Sequence, residues 1–134
     1  MKPTSWIACG ALLAGLAVAA GAFGAHGLTS KLKNDTSLSA EEAARRLDIF
    51  ETAARYQMYH ALAILFTGLL ATRQMSSSLT VAGCCFLFGV IVFSGCLYAI
   101  ALGGPKLLGA IVPIGGVSFI VGWICLAIGA FQAD

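Results

Sequence analysis

The sequence predicts an all-α membrane protein: four transmembrane helices in an antiparallel bundle, with one amphipathic surface helix between helices one and two. Three observations lead there. The chain of 134 residues is 59% hydrophobic and only 10% charged, with a mean hydropathy of +0.90, whereas soluble globular domains carry about 25% charged residues. Uncharged runs recur along it, the longer ones able to cover a hydrocarbon core of roughly 30 Å. The charges are also gathered in one place. Five of the eight Lys and Arg (Lys31, Lys33, Arg45, Arg46, Arg55) and five of the six acids (Asp35, Glu41, Glu42, Asp48, Glu51) lie between Leu28 and Tyr56. That link is close to neutral, so there is no dense basic face to neutralise phosphates and no argument for nucleic acid as a partner.

Helix one is expected over about residues 6–25, a charge-free run of about twenty residues that spans the core at 1.5 Å per residue. Lys2, the apolar run and the small residues near Gly24 also form a secretory-signal pattern; with Met1 present, the segment is expected to stay as the first span. Its small residues Ala8, Ala11, Gly15, Val18, Ala22 and Ala25 fall in steps of three and four, a stripe expected to face another helix. Gly24-Ala25-His26-Gly27-Leu28 is expected to turn the chain out of the helix.

After a polar link, Ser39-Ala40-Glu41-Glu42 forms a capping box at the start of an amphipathic helix over 40–55, with Ala43, Leu47, Phe50 and Ala54 on its apolar face. Helix two follows at 56–72. Gln74 to Ser78 make a turn, and helix three covers 79–102. Gly103-Gly104-Pro105-Lys106 turns the chain again into helix four at 107–131, where Pro113 either kinks the helix or marks its true start. Helices three and four each carry a small-residue stripe, Ala82, Cys85, Gly89, Val92, Cys96, Ala99 and Gly103 on one and Gly115, Ser118, Gly122, Cys125 and Gly129 on the other. The two stripes are expected to face each other, with Gly15, Gly89, Cys96, Gly103, Gly115, Gly122 and Gly129 as the helix-packing positions. The chain 1–134 is expected to be one transmembrane domain.

Four spans would place both termini on one side and the charged link on the other. Lys31, Lys33, Arg45, Arg46, Arg55 and Lys106 then lie on the link side against Lys2 and Arg73 on the terminal side, which favours a cytoplasmic or matrix link in a bacterial inner membrane or an organellar one.

Gly21-Ala22-Phe23-Gly24-Ala25-His26-Gly27-Leu28, Tyr56-Gln57-Met58-Tyr59-His60-Ala61-Leu62, Phe93-Ser94-Gly95-Cys96-Leu97-Tyr98 and Pro113-Ile114-Gly115-Gly116 together resemble the domain of unknown function 423 family. That family takes in small bacterial inner-membrane proteins and eukaryotic transmembrane protein 256. The resemblance covers nearly the whole chain and implies a four-helix membrane protein; it transfers no activity.

Chemistry is expected, if anywhere, at a collar where the charged segment meets helix two. His26, at the end of helix one, and His60, about a turn into helix two, are expected near one membrane face with Tyr56, Gln57 and Tyr59. An ionisable group at membrane depth is a functional candidate by default. Two imidazoles could ligate haem or belong to a metal site, and the tyrosines and Gln57 could hydrogen-bond a quinone or lipid headgroup. The competing reading has His26 capping helix one, His60 bonding across helices and the tyrosines anchoring at the interface. That structural reading outweighs the other, so no cofactor or metal is assigned. The five cysteines form no CxxC and sit in apolar runs, as packing residues do. With no nucleophile and base pair, carboxylate pair or phosphate loop, the expected role is non-enzymatic: an accessory, scaffold or self-associating bundle, as a homo-oligomer or within a larger complex. The alternative is a lipid, quinone or haem binder at the collar.

Overall fold

The computed structural model describes residues 1–132, and among them all regular structure is helical, with no strand. α1 (Pro3–Phe23) passes through a π-type turn (Gly24–Leu28) into α2 (Thr29–Asn34). The expected exit at Gly24–Leu28 is therefore corrected: the rod runs on to Asn34. Gly24 keeps right-handed helical angles (φ −57°, ψ −49°), and the π turn absorbs one extra residue instead of ending the helix. Continuing the helix seats Leu28 and Leu32 in a small core with Phe50 and Ala101. The Thr29 hydroxyl donates to the Gly24 carbonyl at 2.8 Å, satisfying an acceptor that the π turn disturbs.

Asp35 ends the rod by accepting the Ser37 amide and hydroxyl. α3 (Ala40–Ala71) then begins with Ser39 Oγ accepting the Glu42 amide at 3.2 Å. The other half of the capping box is diverted. The Glu42 carboxylate accepts Arg45 Nε and Nη2, both at 2.9 Å, and Arg46 Nε at 3.1 Å. These two guanidiniums pull the Glu42 carboxyl down to about 2 from an ordinary 4.5. Because the folded value is lowered, the contribution to stability is complete above about 4.5 and is lost as pH falls toward 2. Melting followed by circular dichroism should lose midpoint across that window in the wild type, and Glu42→Gln should lose less of it, since Asp35, also held low, still titrates there.

α3 is one uninterrupted helix of 32 residues, about 48 Å long. The separate surface helix 40–55 and span 56–72 are thus corrected to a single rod. No glycine, proline or turn residue stands between Arg55 and Tyr56, and one buried face runs through from Phe50, Ala53 and Gln57 to Ala61, Ile64, Gly68 and Ala71. A short turn leads to α4 (Ser77–Gly89), a second π turn (Val90–Ser94) and α5 (Gly95–Ala101). Gly103, with φ 97°, is the only residue described in the left-handed region, so its part is to turn the chain and not to pack a seam. A 3-10 turn (Lys106–Ala110) precedes α6 (Val112–Phe131), with Pro113 in its first turn. Of the two readings of Pro113, the α-helical start is the one seen. Three rods, Pro3–Asn34, Ser77–Ala101 and Lys106–Phe131, are long and apolar enough to cross a membrane.

α1 packs along α3, α4 along α6, and α3 joins the two pairs. A Cβ on Gly10 would stand 2.7 Å from the Ala61 carbonyl oxygen and the Leu65 amide nitrogen, so backbone meets backbone there. The expected stripe on helix one is turned the other way: Ala8, Ala11, Gly15, Val18, Ala22 and Ala25 are exposed, and nothing lies within 4 Å of a Cβ on Gly15. The inward face carries Trp6, Gly10, Ala17, Gly24 and Leu28. Both stripes repeat at helical spacing, and the one holding the large residues Trp6 and Leu28 gains more by burial.

The two small-residue stripes do meet across the α4–α6 seam, a Cβ on Gly89 standing 3.2 Å from the Gly115 carbonyl oxygen, but large residues fill the notches between them. Leu79 lies over Gly129, Phe86 over Gly122 and Phe93 over Gly115, while Phe119 fills the reverse notch at Gly89. The pairs advance by seven residues on each antiparallel rod, which is knobs-into-notches packing. Ser118 Oγ adds a bond to the Cys85 carbonyl at 2.8 Å. Cys96 is half-buried.

Candidate functional site

The continuous α3 rod decides where the collar residues go. Gly10 abuts Ala61 and Gly24 abuts Phe50, so α1 and α3 run antiparallel with His60 level with the first half of α1. His26 lies roughly 24 Å further along that axis and is exposed in the π turn. The expected meeting of His26 with His60 does not occur. It rested on setting the end of helix one beside the start of helix two, whereas Gly24 packs beside Phe50 and Leu13 beside Gln57.

Gln57 and His60 are buried, at 7% and 5% exposure, while Tyr56 and Tyr59 keep 39% and 53%. Gln57 Nε2 donates to the Leu13 carbonyl at 2.9 Å, and the Tyr98 hydroxyl donates to Gln57 Oε1 at 2.9 Å. One side chain on α3 thus ties α1 to α5. His60 does the same toward α6. Trp123 Nε1 points at His60 Nε2 across 3.3 Å, and an indole N–H can only donate. Nε2 must then accept, which leaves the hydrogen on Nδ1, where it is donated to the Tyr56 carbonyl at 2.8 Å. The Phe119 ring lies over the imidazole with centroids 3.4 Å apart and planes 6° apart, and Tyr56 stacks on Phe93 at 4.7 Å.

Tyr98, Trp123 and the Leu13 carbonyl were not among the expected site residues. Tyr98 has a signal in the sequence, a lone polar ring in an otherwise uncharged helix three; Trp123 has none beyond its indole N–H, and a backbone carbonyl has none at all. Two buried polar atoms, Ser94 Oγ and Trp6 Nε1, have no hydrogen-bond partner. Ser94 sits at the end of the second π turn with 1% exposure, so its hydroxyl is desolvated without return. Ser94→Ala is expected to raise stability by about 1 kcal/mol, read as a higher melting midpoint in detergent.

Among the described residues, no three of His, Cys, Asp and Glu are grouped as a metal would need, and all five cysteines are free. The buried polar atoms of Gln57 and His60 point into the protein, and the chemistry of the arrangement is that of a clamp between helices.

Comparison with known proteins agrees with the apolar architecture. A family model described as "Protein of unknown function (DUF423)" matches residues 20–116. A UPF0382 membrane protein of Staphylococcus saprophyticus is 45% identical over 95% of this chain and 97% of its own. One from Staphylococcus epidermidis is 44% identical over 95% of each, and UPF0382 membrane protein YwdK of Bacillus subtilis is 39% identical over 95% of this chain and 96% of its own. No solved structure matches. With end-to-end likeness to bacterial membrane proteins and three rods apolar enough to span, this chain is an integral membrane protein and belongs to the DUF423 family.

Proposed function

We propose that the protein is a non-enzymatic, four-span bundle of the bacterial inner membrane that acts through packing, as a self-associating unit or an accessory subunit of a membrane complex. The observation that carries this reading is the engagement of Gln57 and His60 within the fold, on Leu13, Tyr98, Tyr56 and Trp123. Groups that would otherwise read as a ligand site are used to hold α1, α3, α5 and α6 in register. The fourth span is the second half of α3, uncharged from Tyr56 to Thr72 and in contact with both flanking pairs. Its Gln57, His60 and Thr67 are buried against protein, as intramembrane polar groups are. With four spans, the Lys and Arg balance favours a cytoplasmic link. The outward stripe of α1, with Gly15 unobstructed, suits close approach by a neighbouring helix.

The test is mass. Protein extracted from native membranes in mild detergent should run in native mass spectrometry as a defined oligomer or stoichiometric complex. A monomer with nothing attached would overturn the reading. Retention of haem or quinone, lost on His60→Ala, would replace it with a binding role at the collar.

A further inference from the structure

Glu51, Arg55, Tyr59, Leu62 and Phe66 recur on α3 in steps of three and four and are all exposed, so they form one outer stripe of that rod. The packing sets its level. The apolar run of α1 ends at Ala25, next to Gly24, which abuts Phe50, and the uncharged half of α3 begins at Tyr56. The hydrocarbon edge on α3 therefore falls between Phe50 and Tyr56, a rise of about 9 Å. With the edge at Tyr56, Arg55 stands at it and Glu51 stands about 7.5 Å outside, within a headgroup layer that adds about 5–8 Å. With the edge at Phe50, Glu51 stands at it and Arg55 starts about 7.5 Å inside, from where an arginine stem carries its head back toward water. Arg55 leans that way: its Nη2 donates to Thr52 Oγ1 across 3.5 Å, toward the start of α3. On either placement both charges reach the headgroup layer, the guanidinium being nearer the hydrocarbon. Among the described residues the only ion pairs are those of Glu42 with Arg45 and Arg46, so Arg55 and Glu51 are not paired with each other.

From the bilayer outward the stripe thus reads apolar, aromatic, positive, negative. A phospholipid with an amine in its head presents the complement in the same order, because the phosphate joins the glycerol and the ammonium ends the head. We propose that this stripe binds a phospholipid whose head carries both charges, its phosphate at Arg55, its ammonium at Glu51 and its glycerol and upper acyl chain against Tyr59 and Leu62. An anionic head without an ammonium would satisfy Arg55 and meet the Glu51 carboxylate, and a soluble zwitterion would leave Tyr59 and Leu62 uncovered. The inference rests on the four-span reading for its depth, and it leaves Gln57 and His60 to their bonds within the fold.

The experiment uses the full chain in detergent, with native mass spectrometry reading retention of phosphatidylethanolamine, phosphatidylglycerol and soluble glycerophosphoethanolamine. Phosphatidylethanolamine should be retained about fivefold better than phosphatidylglycerol, in line with one interfacial charge contact. Arg55→Ala should lower both lipids about fivefold, whereas Glu51→Gln should lower phosphatidylethanolamine alone and erase the preference. Both positions are exposed, so both variants should keep the wild-type melting midpoint. Equal retention of the two lipids, a preference unmoved by Glu51→Gln, or a soluble head that binds as well as the lipid overturns the proposal. So does a midpoint that falls in both variants with retention unchanged, the mark of two charges that serve only the helix. Crossing by α3 is read apart, from a reporter active only outside the cytoplasm, inserted in the full chain at Gln74 or at Thr36. Opposite results at the two sites keep the four-span reading whatever the lipids do, and like results remove that reading and this proposal together. The same spectra report assembly, so a monomer that still retains phosphatidylethanolamine removes the assembly reading and leaves this one standing.

Discussion

Leucine at Gly115 or Gly122 is expected to cost the fold about 3 kcal/mol or more, at the upper end of overpacking, and the two variants should differ in how they can be rescued. A Cβ at Gly122 would stand 2.7 Å from the Phe86 ring, and one at Gly115 would stand 2.6 Å from the Phe93 backbone nitrogen. Phe86 is 0% exposed and part of the main core with Trp6, Ala63 and Ala82, so the ring has nowhere to swing. Because the obstacle at Gly122 is a side chain, Phe86→Ala should restore much of what Gly122→Leu loses, giving a coupling energy of about 1–3 kcal/mol in a double-mutant cycle. At Gly115 the obstacle is backbone, and Phe93→Ala should restore little. Gly15→Leu is the internal comparison: with nothing within 4 Å, it should stay within about 0.5 kcal/mol of the wild type. Thermal unfolding in one detergent measures all of these. Additive losses in the Gly122 and Phe86 cycle would mean that the seam is not where the glycines are.

That comparison also marks how far the sequence could be read. The long apolar runs, the Ser39 cap and the Gly103 turn were legible because each depends on residues near in sequence. The α1 interface was not: Gly15 and Gly10 belong to interleaved stripes of the same period, and only the volume of Trp6 and Leu28, weighed against a partner helix, decides between them. Nor was the continuity of α3. A change from charged to apolar composition at Arg55 marks a change of solvent, and it does not bend a backbone that has no breaker. His26 and His60 part for a related reason: a turn-out at Gly24–Leu28 would set His26 at the level of Tyr56, whereas Gly24 packs beside Phe50 and it is Leu13 that meets Gln57. The two π turns at Gly24–Leu28 and Val90–Ser94 are settled by packing on both sides and have no local pattern to give them away.

His60→Ala is expected to cost about 3 kcal/mol, and His60→Phe should recover most of it. Alanine removes the ring that Phe119 covers at 3.4 Å and leaves a cavity beside Phe86, whose centroid is 5.8 Å from the imidazole. It also leaves the Trp123 indole without its acceptor. Phenylalanine keeps the stack and the volume and loses only the two hydrogen bonds, and an interhelical polar bond within membrane bundles averages about 0.6 kcal/mol. Gln57→Leu should fall in the same small class, because the Leu13 carbonyl remains inside the α1 ladder and Tyr98 alone loses an acceptor. Gln57→Glu should cost more than Gln57→Leu, since a carboxylate has no hydrogen to offer that carbonyl and would be a charge among apolar rods. The order of the series decides what the buried polar groups are for. If shape and stacking hold the bundle, stability follows ring volume at position 60 and assembly follows stability. If His60→Phe keeps the melting midpoint yet abolishes a copurifying molecule, the imidazole nitrogens serve a ligand, and the clamp is secondary to it.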